Sequence, residues 1–233
     1  MPDRYYAETP IAGPTATLTG SEAHHLLHAM RAKPGLQLVV FDGQRGEYDA
    51  TVSRCSRSEV ELEVGPRREV ERELTFGLTL AVALPKGDRQ RWLVEKAVEL
   101  GVTRLVPLQT ARSHAAGEQS TKLGRYVIAA SKQCGRNRLM QIAPPTAWPE
   151  LINGQTTARR LLAHPDGQSL TELDLQPLAD IWVAIGPEGG FTDEEVELAV
   201  VAGWENVSLG SRILRIETAA LALASVIVLG ERN

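Results

Sequence analysis

The sequence predicts an α/β protein in two parts: a small N-terminal β-barrel over residues 1–73 and a larger α/β domain over residues 74–233. Three observations predict it. Up to residue 73, short runs alternate apolar and polar side chains and are joined by turn dipeptides, the period of half-buried strands. From residue 74 onward, continuous apolar runs of strand length alternate with helical stretches, the pattern that builds a parallel sheet with covering helices. At 233 residues and 43% hydrophobic content, the chain is long and apolar enough to bury a substantial core.

In the first part, residues 36–41, 47–53 and 60–64 read as strands, with turns at Asp42-Gly43 and Arg57-Ser58 and one helix over residues 21–31. The Glu-rich stretch 66–73 reads as a linker. In the second part, residues 75–84 form a strand, and Asp88 caps a helix that runs to Leu100 and stops at Gly101. A strand over 104–108 and a helix over 122–134 follow, then a strand over Leu161-Leu-Ala163. Ile181-Trp-Val-Ala-Ile185 is a continuous apolar run, as expected of a strand covered on both faces. Thr192 and Glu195 fit a capping box opening a helix that ends near Gly203. Residues 207–209 make a minimal strand, and Thr218 is a good N-cap for a helix over 219–229. That last helix is apolar on every side, so it needs cover all round, within the chain or from a second copy. Its eleven residues fall far short of the ~20 that span a bilayer.

Two loops concentrate the chemistry. Ile185-Gly-Pro-Glu-Gly-Gly-Phe-Thr192 and Leu209-Gly-Ser-Arg-Ile-Leu-Arg-Ile-Glu-Thr-Ala219 each begin where a strand stops and end where a helix starts. Loops at the ends of strands in an α/β sheet are where such folds bind ligands. The glycines let backbone approach a ligand closely, and Glu188, Arg212, Arg215 and Glu217 supply charge. The first loop has neither the Lys-Ser/Thr of a P-loop nor the dinucleotide G-x-G-x-x-G spacing. A plain strand–turn–helix junction would use the same glycines for geometry alone, and Arg215 with Glu217 could form a purely structural pair.

The net charge of −4 hides an asymmetry: residues 1–75 carry −3, residues 76–160 carry +8, and residues 161–233 carry −9. A basic middle segment points to a polyanion partner, although solvated helix faces account for part of such an excess. Cys55 and Cys134 lie far apart without ligand spacing, so neither zinc nor a disulfide framework is implied. The first residues show no charged-then-apolar signal segment, and a soluble cytoplasmic protein is the expectation. His24, His25 and His28 have the spacing of a surface helix face rather than of a metal site, and His114 has no readable role.

The pair G-P-E-G-G-F and L-G-x-R-I-L-R-x-E-T-A closely resembles the 16S ribosomal RNA uracil-N3 methyltransferases, the RsmE family of the SPOUT class. The resemblance extends along the whole chain, through Arg4-Tyr-Tyr6, the His24 to Arg31 segment, Leu84-Pro-Lys-Gly-Asp88, Val98-Glu-Leu-Gly-Val102, Lys132-Gln-Cys-Gly-Arg136 and Leu161-Leu-Ala-His164. Tyr6, Met30 and Cys134 stand where Phe, Val and Ser are usual. The resemblance implies a PUA-like barrel, a C-terminal trefoil knot holding S-adenosylmethionine, and a homodimer in which each site borrows from the other subunit. It implies no metal and no membrane, with 16S RNA or the assembled small subunit as substrate.

On that basis Leu162, His164, Gly186, Glu188, Gly189, Gly190, Leu209, Gly210, Ile213, Leu214 and Thr218 are expected to hold the cofactor. A proton must leave uracil N3, so Glu188 and Glu217 are the candidate bases and Arg215 and Arg212 the candidate anion stabilisers. Arg4, Arg31, Lys86, Arg89, Lys132 and Arg136 are expected to contact phosphates. Two other readings use the same scaffold: a SPOUT enzyme acting on transfer RNA or 23S RNA, and a catalytically silent RNA-binding assembly protein.

Overall fold

The computed structural model describes residues 3–113, 120–154, 156–173 and 180–231, so His114 lies outside the described residues. The chain forms two compact units. One takes the residues up to Glu73 together with Ile128–Leu139; the other takes Leu74–Val127 and the residues from Met140 on.

In the first unit, strands β1 (Arg4–Tyr6), β2 (Thr15–Leu18), β3 (Gln37–Phe41), β4 (Gly46–Cys55) and β5 (Val60–Glu69) pair in the order β1-β3-β4-β5-β2. β1 runs parallel to β3, and the other pairings are antiparallel. Period-2 alternation sends Leu38, Val40, Tyr48, Ala50, Val52, Val60, Leu62 and Val64 to one face. Ala23 and Leu26 close that face from a helix that is α-helical over Gly20–His24 (α1) and continues as a wider π-helical turn over His25–Ala29. Among the described residues the pairings run from one edge strand to the other and do not join β1 to β2, so the expected barrel is an ordered sheet with two edges.

The expected linker over 66–73 is a correction: β5 continues to Glu69, with Arg68 opposite Glu47 and Arg67 opposite Tyr48. The reason is charge. Glu47 is only 4% exposed, and its carboxylate pairs with Arg4, Arg68 and Arg72. A charged strand end is stable here because its partners lie across the ladder. The same chemistry moves residues 128–139 out of the second unit, where the sequence had placed them. Lys132 Nζ donates to both Glu22 carboxylate oxygens at 3.0 and 2.7 Å. Arg4 Nη2 donates to Asn137 Oδ1 at 2.6 Å, Arg72 Nη1 donates to the Gly135 carbonyl at 2.9 Å, and Arg136 pairs with Glu73 in a buried contact.

The second unit contains β6 (Leu78–Val82), α2 (Asp88–Glu99), β7 (Arg104–Gln109), the first half of α3 (Ser120–Cys134), β8 (Gln141–Ile142), β9 (Thr146–Ala147) and α4 (Trp148–Ile152). It continues with β10 (Arg159–Ser169), β11 (Ile181–Ile185), α5 (Asp193–Val201), β12 (Glu205–Ser208) and α6 (Ile216–Leu229). Its sheet runs β12-β10-β11-β6-β7-β8, with β9 also on β7, and every pairing is parallel. The α5 capping box forms as the sequence implies, with Thr192 and Glu195 each bonding the other's backbone N–H.

Two helix starts differ from expectation. Gly87, at φ +67°, is the N-cap of α2, and Asp88 is its first helical residue, where a carboxylate suits the helix dipole. α6 starts at Ile216 with Arg215 as N-cap, so Thr218 lies inside the first turn. Burial decides this: Ile216 is 3% exposed, and adding that turn to the helix buries it. α6 packs on α2, β6 and β11, while Val226 and Leu229 remain 41% and 82% exposed.

Burial pushes the Glu47 carboxyl up, but hydrogen bonds and charge from Arg4 and Arg72 outweigh it and hold the group below its ordinary value of 4.5. A depressed folded-state value stabilises the fold above pH 4.5, and the benefit is lost as pH falls through the lower folded value. Glu47→Gln is therefore expected to cost about 2 kcal/mol at pH 7 in calorimetric unfolding. The gap from wild type is expected to close as pH drops below 4.5.

Candidate active site

The C-terminal ends of three adjacent parallel strands, β12, β10 and β11, open onto one cavity of about 430 Å³. Residues 163–165, 186–191 and 209–214 line it, with Ile216 and Ala219 from α6. Each stretch has its own reason for being where it is.

In β10 the register slips: Ala163 and Gln168 both face Val207, so residues 164–167 bow out of the ladder toward the cavity. A Cβ on Gly167 would lie 2.5 Å from Val207 N and 2.6 Å from the Asn206 carbonyl carbon. Backbone meets backbone there, and only glycine fits. His164 sits on the bow, and its Nδ1 accepts the Asp166 N–H at 3.3 Å.

After β11, a Cβ on Gly186 would lie 2.9 Å from the Phe191 ring, and Gly190 holds φ +68° while its N–H donates to the Pro187 carbonyl at 2.9 Å. Gly189 has more room than Gly186, since a Cβ there would meet Arg112 Cδ at 3.4 Å, an ordinary contact. After β12, Gly210 takes φ +99°. The loop it starts exposes Ile213 almost entirely, at 98%.

Of the residues the sequence assigned to the cavity, His164, Gly186, Glu188, Gly189, Gly190, Leu209, Gly210, Ile213 and Leu214 line it, and Arg212 joins them. Leu162 does not. It is fully buried in the core with Trp148 and Phe191, because strand alternation turns it away from the face that Ala163 presents. Thr218 is exposed on α6, since the earlier helix start gives Ile216 and Ala219 the inward positions. Sequence reasoning missed Gly167, whose signal was an Asp-Gly pair inside a strand.

The charges arrange themselves differently from expectation. Glu188 stands at the rim with its side chain 58% exposed, and Arg89 Nη1 lies 3.4 Å from its Oε1. The same Arg89 nitrogen lies 3.9 Å from Glu217 Oε2. The Glu217 side chain is 7% exposed, and this oxygen has no hydrogen-bond partner among the described residues. Arg215 is exposed at the N-cap of α6 and makes no ion pair with Glu217. Arg89 therefore faces two carboxylates rather than standing ready for a phosphate.

Three more of the cations expected to contact phosphates are already committed. Arg136 is 3% exposed against Glu73, the Arg4 side chain is 10% exposed against Glu47, and Lys132 is held by Glu22. Arg31 and Lys86 are exposed. Arg91, Arg159 and Lys96, also counted in the basic middle segment, pair with Glu95, Glu205 and Glu99.

A family model for an RNA methyltransferase domain matches residues 72–228, and one for an RNA methyltransferase PUA domain matches residues 18–65. The chain is 34% identical over 232 residues to ribosomal RNA small subunit methyltransferase E of Synechocystis sp., covering 94% of this chain and 75% of that one. It is 28% identical to the protein of the same name from Bacillus subtilis, covering 92% and 90%. Among solved structures, ribosomal RNA small subunit methyltransferase E from Neisseria gonorrhoeae bound to S-adenosyl methionine superposes with a TM-score of 0.91 at 28% identity, covering 99% and 98%. A methyltransferase structure from Legionella pneumophila with bound SAM gives 0.92 at 30% identity, also covering 99% and 98%.

The glycine spacings separate two substitutions. Gly186→Ala displaces Phe191 and is expected to cost about 1–3 kcal/mol, whereas Gly189→Ala is expected to stay within about 0.5 kcal/mol of wild type. Denaturant unfolding followed by tryptophan fluorescence measures both, because all four tryptophans lie in the second unit.

Proposed function

The chain belongs to the ribosomal RNA small subunit methyltransferase E family, and from that premise we propose that it moves a methyl group from S-adenosylmethionine to N3 of a specific uridine in 16S RNA. The observation that carries the reading is the cavity across three adjacent strand ends, lined in part by Gly186, Gly189, Gly190 and Gly210 and also by Glu188 and Arg212.

The residues present fit the donor. About 430 Å³ lies within the range of small-molecule sites. Among the described residues, the N–H groups of Arg212, Ile213 and Leu214 make no hydrogen bond within the chain, leaving donors for a polar ligand. Residues 163–164, 186–190 and 209–214 would hold it. The sulfonium of S-adenosylmethionine, when bound, supplies a methyl group already activated for displacement. What remains for the protein is alignment of the base, which accounts for much of the rate in such reactions, and removal of the N3 proton.

Glu188 fits the proton acceptor: it is at the cavity and exposed enough to reach a base docked there. Arg212 on the wall and Arg215 at the end of the same loop fit as holders of the charge that develops on the uracil carbonyl oxygens. Glu217, buried beside Arg89, is the second carboxylate of the site and the alternative acceptor. Of the six cations expected to contact phosphates, Arg31 and Lys86 are exposed and without an ion pair among the described residues, and fit that role.

Two further features belong to this reading. The trefoil knot expected of the family belongs to it, its segments being the three that line the cavity. The exposed Val226 and Leu229 on α6 support a homodimer through that helix, since a second copy covers an apolar stripe at no cost in charge. No helix among the described residues is long and apolar enough to cross a membrane, and the proposed action on ribosomal RNA supports a cytoplasmic location.

Glu188→Gln is expected to slow single-turnover methylation of small subunits at saturating S-adenosylmethionine by about 10²–10⁴-fold while RNA affinity holds. The substrate is prepared from cells lacking this modification, and mass mapping locates the methylated nucleotide. Full rates in both Glu188→Gln and Glu217→Gln would remove these carboxylates from the chemistry. Leu229→Glu is expected to yield monomers in light scattering with loss of turnover; an unchanged dimer would move the interface off α6.

A further inference from the structure

We propose that Arg112 is a positioning residue for the donor site, holding the glycine-rich loop after β11 in the shape that forms one wall of the cavity. The proposal rests on the methyl-donor reading of that cavity. Arg112 does not line the cavity itself, so it acts on a ligand only through the loop.

The geometry is that of a clamp. Arg112 Nη1 donates to the Gly189 carbonyl at 2.7 Å and to the Phe191 carbonyl at 3.3 Å. Its aliphatic stem lies against Gly189, with Cδ 3.4 Å from where a Cβ would stand. The neighbouring Ala111 N–H donates to Glu195 Oε1 at 2.8 Å, and the other oxygen of that carboxylate accepts the Thr192 N–H at 2.9 Å. The turn carrying Ala111 and Arg112 is itself braced, with Ser113 Oγ accepting the Thr110 N–H at 2.8 Å and donating to the Thr110 carbonyl at 3.1 Å. One short turn after β7 thus grips the loop at its middle, at its end and at the first turn of α5.

The loop needs such a grip. Three of its five positions from 186 to 190 are glycine, so the free chain has many backbone states to lose. Phe191 constrains Gly186, but nothing packs against Gly190, which holds φ +68° in open space. Hydrogen bonds from a charged donor are roughly twice as strong as neutral ones, and two carbonyls turned toward the guanidinium fix the peptide planes that follow Gly189 and Phe191. A loop set in its binding shape before the ligand arrives avoids paying that ordering on binding.

The test uses the full-length protein with S-adenosylmethionine as the calorimetric probe. Arg112→Ala is expected to raise the Kd about tenfold or more. The unfolding midpoint without ligand is expected to stay within about 2 °C. The maximal rate at saturating donor and RNA is expected to stay within about threefold of wild type, because Arg112 touches no reacting group. Arg112→Lys, which keeps a charged donor on a long stem, is expected to recover most of the affinity. Wild-type affinity in Arg112→Ala overturns the proposal. So does an affinity loss that comes with a lowered midpoint and is not repaired by lysine, since that assigns Arg112 to the fold alone. Absence of binding in the wild type itself overturns the donor reading of the cavity, and the proposal with it.

Discussion

The ring of Phe191 occupies the space that a side chain on Gly186 would need, and the shape of the candidate active site follows from that contact. The Phe191 and Trp148 rings pack at a tilt with centroids 4.8 Å apart, those of Trp148 and Trp204 at 5.4 Å, and the Trp148 indole donates to the Glu195 carbonyl at 3.0 Å. The end of β11, helices α4 and α5 and the start of β12 are therefore joined through one aromatic cluster. Aromatic burial of this kind carries a large share of core energy, with defined ring geometry. The loop above it inherits that rigidity at one end only, which is why its glycines need a second restraint from the turn after β7.

The two units treat buried charge in opposite ways. In the first, Glu47 and Glu73 are neutralised by arginines on neighbouring strands and on the segment 128–139, and every such carboxylate is matched. Breaking one leaves an uncompensated charge, so these networks specify which segments belong together more than they add net stability. In the second unit, Glu217 is as buried as Glu47, yet one of its oxygens has no hydrogen-bond partner among the described residues, and Arg89 stands between it and Glu188. Glu217 thus stands out as a buried carboxylate with an under-satisfied oxygen, next in sequence to Ile216 on the cavity wall.

Counting charge along the chain overstates the free positive charge for a related reason. The basic middle segment includes Arg136, Lys132 and Arg159, whose partners Glu73, Glu22 and Glu205 lie outside it in sequence and beside it in space. Four of the segment's cations, Arg89 included, thus meet carboxylates from outside it, which takes up half of the +8 excess, while Lys86, Lys122 and Arg125 remain exposed without an ion pair among the described residues.

By itself the sequence determined what depends on local pattern: the change from period-2 strands to strand–helix alternation, the capping box at Thr192 and Glu195, and the two glycine loops that became cavity walls. Each rests on neighbours within a few residues, where propensity and periodicity act. Tertiary structure decided what depends on distant atoms. The ladder carried β5 through a charged stretch because Arg68 found Glu47, and burial of Ile216 moved the start of α6 past a better-looking cap at Thr218. Gly167 is required by the backbone of β12, and Arg112 reaches a loop 77 positions away. No pattern within a short window can announce a partner that only folding brings within 3 Å.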